Sequence, residues 1–319
     1  MLDALDAAAA TVYRTLHPTA QRRWPLLDRR CQASVWVKHE HELPTGAFKV
    51  RGGLVYFDDL ARRGGVDHVV AATRGNHGQS VALAAGHHGI RATIVVPEGN
   101  STAKNRAMQA LGAELIERGH DFQAALDAAT VLAFEGGWAL VPSFHELLVR
   151  GVASYSLELL RAVPDLHTLY VPIGLGSGIC GAIAARDALN LSTRIVGVVS
   201  ASAPAYARSL ERGCAVSCEA STRIADGLAC RTPHPDALAI IARGTERVIE
   251  ITDDEIEDAM RIIYDDLHVV AEGAAAASVA ALLRERERQA GRQVAVVLTG
   301  SNVDRGTFAR VLAGGAERN

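Results

Sequence analysis

The sequence lacks a basic excess: 33 Lys and Arg stand against 36 Asp and Glu in 319 residues, a formal charge of −3. General nucleic-acid binders carry a cationic face, so no DNA or RNA partner is expected. It is also poor in cysteine, with five residues and no Cys-x-x-Cys pair. Cys214 and Cys218 are spaced too widely for a zinc knuckle, and no second pair completes one. Reduced thiols in core or loop positions are therefore expected. No run approaches the roughly 18 apolar residues that cross a bilayer. The opening segment, MLDALDAAAATVYR, places Asp3 and Asp6 where a secretory leader would carry positive charge. Both absences point to a cytoplasmic protein without a membrane partner. No short-period repeat and no Pro- or Ser-rich linker divides the chain. With 49% hydrophobic and 22% charged residues, it can bury a sizeable core.

What is present is an alternation of β-branched runs and Ala/Leu-rich stretches. Strands are expected at 35–38, 67–72, 92–96 and 113–116, with helices over 80–87, 102–111 and 121–134. The second half repeats the pattern, with strands at 169–173, 195–199 and 294–298 and helices over 182–189, 252–264 and 274–288. Thr252, followed three residues later by Glu255, forms a capping box. A long polar stretch covers 200–235. Strand, loop and helix at this spacing make an α/β protein of stacked βαβ units with parallel sheets. If two lobes exist, the chain passes between them more than once.

Chemistry concentrates where strands run into helices, the usual ligand crevice of open α/β sheets. PTGAFKVRGG, residues 44–53, sets Lys49 between Phe48 and Val50. An amine in apolar surroundings can act as a nucleophile or Schiff-base partner, although such lysines also simply lay their stems on the surface. ATRGNHGQS, residues 72–80, brackets Asn76 and His77 with Gly75 and Gly78, and a tight turn explains it equally well. GLGSGICG, residues 174–181, follows a strand and precedes a helix. Its backbone N–H groups and Ser177 suit an anion, so it reads as a phosphate cradle, without the Gly-Lys-Ser/Thr of a P-loop.

These three loops, in order with a late strand entering TGSN, resemble the β-family, or fold type II, of pyridoxal-phosphate (PLP) enzymes, the tryptophan synthase β-like fold. The likeness spans about residues 13–312. Within the family the chain is similar to the threonine/serine dehydratase and serine racemase branch, and more closely to dehydratase-like proteins of hydroxyectoine utilisation. The resemblance implies two three-layer α/β lobes with cofactor in the cleft: a large one from residues 1–65 and 143–319, and a small one from 66–142. It implies a homodimer, and no C-terminal regulatory domain.

By position, Lys49 matches the Schiff-base lysine that also takes the Cα proton, and Asn76 the asparagine on the cofactor 3′-hydroxyl. Gly174, Gly176, Ser177 and Gly178 fall in the phosphate loop, and Thr299 where a hydroxyl meets the pyridine nitrogen. Such a partner tempers the electron sink and suits β-elimination. Thr73, Arg74, Gly75 and His77 would hold the substrate. The implied reaction converts a β-hydroxy-α-amino acid, by default L-threonine or L-serine, to a 2-oxo acid and ammonia.

The departures bear on substrate. Arg74 stands where racemases place an acid/base serine, and arginine cannot exchange that proton. It either faces solvent or meets a charged substrate, so 3-hydroxyaspartate or an extended hydroxyectoine derivative is the alternative. Gly151-Val152-Ala153-Ser154 replaces the usual Gly-Gln-Gly-Thr, and Ser200 and Tyr206 replace carboxylates of metal-dependent members, so no magnesium site of that pattern is expected. His39, Glu40, His41 and Glu42 look like metal ligands on paper, but strand alternation separates their directions and a loop or rim is expected instead. Asp226 is expected as a turn residue, and Glu272 either faces the cofactor ring or caps the alanine-rich helix, with capping the safer reading. A non-catalytic amino-acid or nucleotide sensor on the same cradle is the remaining rival, and Lys49 discriminates against it.

Overall fold

The structure, a computed structural model, describes residues 1–314; the expected large lobe runs to 319, and its last five residues lie outside the described residues. In chain order the first half contains α1 (Leu2–Val12), β1 (Gln21–Arg23), α2 (Pro25–Cys31), β2 (Ser34–His39), α3 (Lys49–Arg63), β3 (His68–Ala72), α4 (Asn76–His87), β4 (Arg91–Val96), α5 (Thr102–Ala110), β5 (Glu114–Glu117), α6 (Phe122–Gly136) and β6 (Ala139–Leu140). The second half adds α7 (Glu146–Ala162), β7 (Thr168–Pro172), α8 (Ser177–Ala188), β8 (Arg194–Ser200), α9 (Ala205–Arg212), α10 (Pro235–Gly244), β9 (Arg247–Ile251), α11 (Asp253–Leu267), α12 (Gly273–Arg284), α13 (Arg286–Gln289), β10 (Gln293–Leu298) and α14 (Arg305–Ala313).

Two sheets result. The six-stranded sheet runs β1-β2-β10-β7-β8-β9, and the four-stranded sheet runs β5-β4-β3-β6. All pairings are parallel except β1 with β2. Central strands such as β3 and β7 are buried along their whole length, as strands covered by helices on both faces must be. On one face of the large sheet pack α2, α11, α12 and α14; on the other, α1 and α7 to α10. The small sheet is covered by α3, α4 and α5 on one side and by α6 on the other. Both units are thus three-layer α/β sandwiches. Helix α3 joins the core of the small sheet through Val50, Leu54 and Phe57, although it precedes β3 in the chain.

The expected strands are present, and the Thr252–Glu255 capping box opens α11. Other elements were not expected, chiefly α3 and α7, and α9 lies inside the stretch read as polar loop. The cysteines are all free, with Cys31, Cys180 and Cys230 buried. The alternation argument at His39–Glu42 fails: β2 stops at His39 and residues 40–42 form a 3-10 turn, which brings His39, His41 and Glu42 to one side.

Candidate active site

The cleft is built at the carboxyl ends of strands from both sheets. After β10 the chain turns back, and the Phe48 N–H donates to the Thr299 carbonyl at 3.0 Å. An isolated bridge pairs Ala47 with Gly300. This short zipper sets Lys49, the first residue of α3, beside Thr299, and the Ser80 hydroxyl fixes the start of the helix by donating to the Lys49 carbonyl at 2.8 Å. Lys49, Asn76, Gly174, Gly176, Ser177, Gly178 and Thr299 all line one small pocket. The expected cofactor set is therefore brought together. Thr73, Arg74, Gly75 and His77 line the adjoining cavity of about 560 Å³, which shares Lys49, Asn76 and Glu272 with the first. That volume suits a bound small molecule.

The glycine-rich loop leads from β7 into α8. Gly176 has φ +100°, a conformation that disfavours a side chain, and a Cβ on Gly174 would lie 2.2 Å from the Gly227 carbonyl. No side chain caps α8, so its first N–H groups are left for an anion. Tyr206, at a position read as a lost metal ligand, instead donates to the Leu175 carbonyl at 2.9 Å and props the loop.

Asn76 is clamped at both ends. Its Nδ2 donates to Glu272 Oε1 and its Oδ1 accepts from Asn302 Nδ2, each at 2.8 Å. Asn302 also donates to the Thr45 carbonyl at 2.8 Å. Glu272 does precede α12, but its carboxylate makes no cap bond and points into the site, which corrects the reading of it as a cap. Burial pushes its carboxyl up to about 7. Burial also lowers the Lys49 amine below its ordinary value, with the Glu272 charge opposing. His77 is pushed down to about 3 by burial and then by the Lys49 charge, and its Nε2 has no hydrogen-bond partner among the described residues. The site thus offers an amine biased toward its uncharged form, a neutral imidazole and an anion cradle within one cavity wall. The Thr73 hydroxyl is partly engaged, accepting from the Gly75 N–H at 3.0 Å.

The model of the family described as pyridoxal-phosphate dependent enzymes matches residues 12–300. The chain belongs to that family. L-Threonine ammonia-lyase of Thermotoga maritima is 32% identical over 312 residues, covering 98% of this chain and 78% of that protein. L-Threo-3-hydroxyaspartate ammonia-lyase of Saccharomyces cerevisiae is 30% identical, covering 91% and 89%. The structure of maize serine racemase superposes with a TM-score of 0.91 at 28% identity, covering 99% and 97%. The fold is fold type II, and the family's cofactor is PLP. The residues present fit it: the uncapped α8 terminus suits the phosphate, and Lys49, Asn76 and Thr299 face the same pocket.

Asn302 and Lys104 are site residues that sequence reasoning did not raise, whereas Glu272 and Asp226 were raised with a cap and a turn as the preferred readings. Asn302 sat inside the quoted TGSN, where only the threonine was given a role. Asp226 lies in a 3-10 turn as expected, but its carboxylate also meets Lys104 at 3.2 Å and Arg74 at 3.7 Å across the cavity wall.

Proposed function

We propose that this chain is an ammonia-lyase that dehydrates a β-hydroxy-α-amino acid, by default L-threonine or L-serine, to a 2-oxo acid and ammonia. The observation that carries the reading is the Lys49 amine, buried in a pocket shared with the glycine cradle and Asn76. PLP, when bound, supplies the electron sink that makes the Cα proton removable. Lys49 takes that proton; its lowered pKa leaves the amine free to accept it. Gly174, Gly176, Ser177 and Gly178 hold the phosphate, Asn76 and Thr299 orient the ring, and Thr73, Gly75 and His77 receive the substrate carboxylate. The Cβ–O bond breaks with loss of water, and hydrolysis of the released enamine yields ammonia. A sensor without chemistry has no use for such an amine, and Arg74 cannot serve as a racemase acid/base.

A second reading is favoured by Arg74 and Lys104, two cations that share the single carboxylate of Asp226 on the cavity wall. A substrate with a second carboxylate, such as 3-hydroxyaspartate, or with a polar extension, such as a hydroxyectoine derivative, would meet that excess of positive charge. Release of 2-oxo acid from threonine, serine, both 3-hydroxyaspartate diastereomers and hydroxyectoine-derived amino acids distinguishes the two. Lys49→Ala should lower turnover by more than about a thousand-fold; turnover at the parent rate would refute the mechanism. Arg74→Ala should cost activity on the charged substrate alone if Arg74 pairs with it, and an unchanged ranking removes Arg74 from specificity.

The same reading takes residues 66–142 as the small lobe and 1–65 with 143–319 as the large one, with α3 of the first segment packed onto the small sheet. Closure of the two lobes excludes water. It places the enzyme in the cytoplasm as a homodimer without nucleic-acid or membrane partners. The net charge of −3 supports the absence of nucleic acid, and no helix among the described residues is long and apolar enough to cross a membrane. Light scattering should return twice the chain mass, and a monomer mass over a broad concentration range would reject the dimer.

A further inference from the structure

Away from the cleft, the turn between β2 and Lys49 gathers His39, His41 and Glu42. One donor atom of each lies within 4.8 Å of the other two. The closest charged approach is His39 Nδ1 to Glu42 Oε1 at 3.9 Å, and the two imidazole centroids are 5.2 Å apart at 57°. The cluster is graded from a buried His39 through a half-buried His41 to an exposed Glu42. His39 is 1% exposed, and its Nδ1, like that of His41, is buried without a hydrogen-bond partner among the described residues. Trp24 Nε1 lies 3.4 Å from His39 Nε2, which leaves the His39 ring proton on Nδ1, so the two unpartnered ring nitrogens beside one carboxylate can take an ion once that proton moves to Nε2. Glu40 does not compete, because Arg51 and the Thr19 hydroxyl occupy its oxygens.

We propose that His39, His41 and Glu42 form a binding site for a divalent transition-metal ion of the zinc type, with solvent completing the coordination. Two imidazoles and one carboxylate suit zinc, cobalt or nickel, whereas magnesium and calcium demand oxygen donors. A tetrahedral ion with bonds of about 2.0–2.1 Å holds its donors roughly 3.4 Å apart. The cluster must therefore contract modestly, which rotation of the exposed Glu42 side chain and of His41 supplies. Near His39 the positive groups are Arg22 and Lys38. Lys38 is paired with Glu158.

Ligation through Nδ1 places the ring proton of His39 on Nε2. Trp24 Nε1 already approaches that atom at 3.4 Å as a long donor contact. Metal binding sets two N–H groups against each other there, so the indole must shift. Trp24 is thereby a built-in reporter of occupancy. The site lies three residues before Thr45, whose carbonyl holds Asn302, and so it would staple the turn that presents Lys49.

Holoenzyme stripped with a chelator and titrated with Zn²⁺ and Co²⁺, by calorimetry and equilibrium dialysis, tests this. The expected result is one ion per chain at micromolar Kd or tighter, with a change in tryptophan emission. His41→Ala should weaken binding at least ten-fold and abolish the emission change. Glu42→Gln, at an exposed position that leaves the fold intact, should also weaken it. The free cysteines and the cofactor are common to all three proteins, so the differences report this cluster. Absence of a stoichiometric ion in the parent, or equal binding in both variants, overturns the proposal.

Discussion

Glu272 shows how one side chain couples the two sides of the cleft. Its carboxylate lies where a Cβ on Gly300 would stand 2.8 Å away, so the glycine makes the space that the carboxylate uses. The sequence leaves two options open: Glu before an alanine-rich helix can cap it or face the cofactor ring, and only tertiary placement turns it inward. The consequence is measurable. The folded chain holds the Glu272 proton up to about pH 7, whereas the unfolded chain releases it near 4.5. Stability from this residue is therefore fully present below 4.5 and declines as pH rises toward 7. His77, depressed to about 3, acts oppositely: its contribution is present above about 6.5 and is lost as pH falls. In the cofactor-free chain, Glu272→Gln should remove only the first effect. The urea-derived stability of the variant relative to the parent should rise between pH 4.5 and 7, by up to about 3 kcal/mol, and then level off. A difference flat across this range would show that Glu272 titrates normally.

At the scale of elements, the sequence displayed the strands and loops that carry the site and the helices that follow them, but hid two that hold them from behind, α3 and α7. Strand runs such as HVVAA and VAVVL are short, apolar and β-branched, and the three loops follow such strands directly. Helix α3 was hidden by Gly52 and Gly53, and α7 by Gly151, residues that propensity scores as breakers. In the structure they are contact points. A Cβ on Gly52 would lie 2.7 Å from the Leu148 carbonyl, and one on Gly151 2.4 Å from the Arg51 carbonyl. The helices cross so closely that only glycine fits, and that requirement is invisible without the partner. The glycines of the phosphate loop were legible because they cluster after a strand. Gly176→Ala tests their role: the φ of +100° and a Cβ only 2.8 Å from that of Ala237 both oppose the substitution. We expect PLP affinity to fall at least ten-fold by absorbance titration, with a stability loss of about 1–3 kcal/mol. Unchanged PLP affinity would remove this loop as the cradle.

For the whole molecule, the two sandwiches meet through unlike contacts. On the side away from the cleft, a buried set of charges ties β2, α3 and α7. Arg51, fully buried, donates to Glu40 at 2.7 Å and to Glu158 at 2.6 Å, and Lys38 completes the set. Across the cleft the contacts are thinner and wetter: Arg74–Asp226, Lys104–Asp226 and Arg231–Asp121 join the small sheet's loops to the segment around Asp226. The arrangement is a firm back and a yielding front, suited to closure over a substrate. Arg51→Met should strand two buried carboxylates and cost about 3–5 kcal/mol in denaturant unfolding. A loss below about 1 kcal/mol would mean that water or protonation relieves them.

The pairing of β2 with β10 joins Ser34–His39 to Gln293–Leu298, two segments separated by every other strand of both sheets except β1. During synthesis an early strand must wait, one edge unpaired, until residues 293–298 have left the ribosome. The strands of the small sheet, by contrast, lie within 68–140 and can pair midway through translation. The halves of the cleft are therefore of different age. Thr299 and Asn302, which close the pocket around Lys49 and Asn76, emerge after those residues and after the phosphate loop, so a nascent chain has no complete site until β10 and the turn after it dock. Vectorial synthesis thus delays any cofactor capture until this late strand is in place.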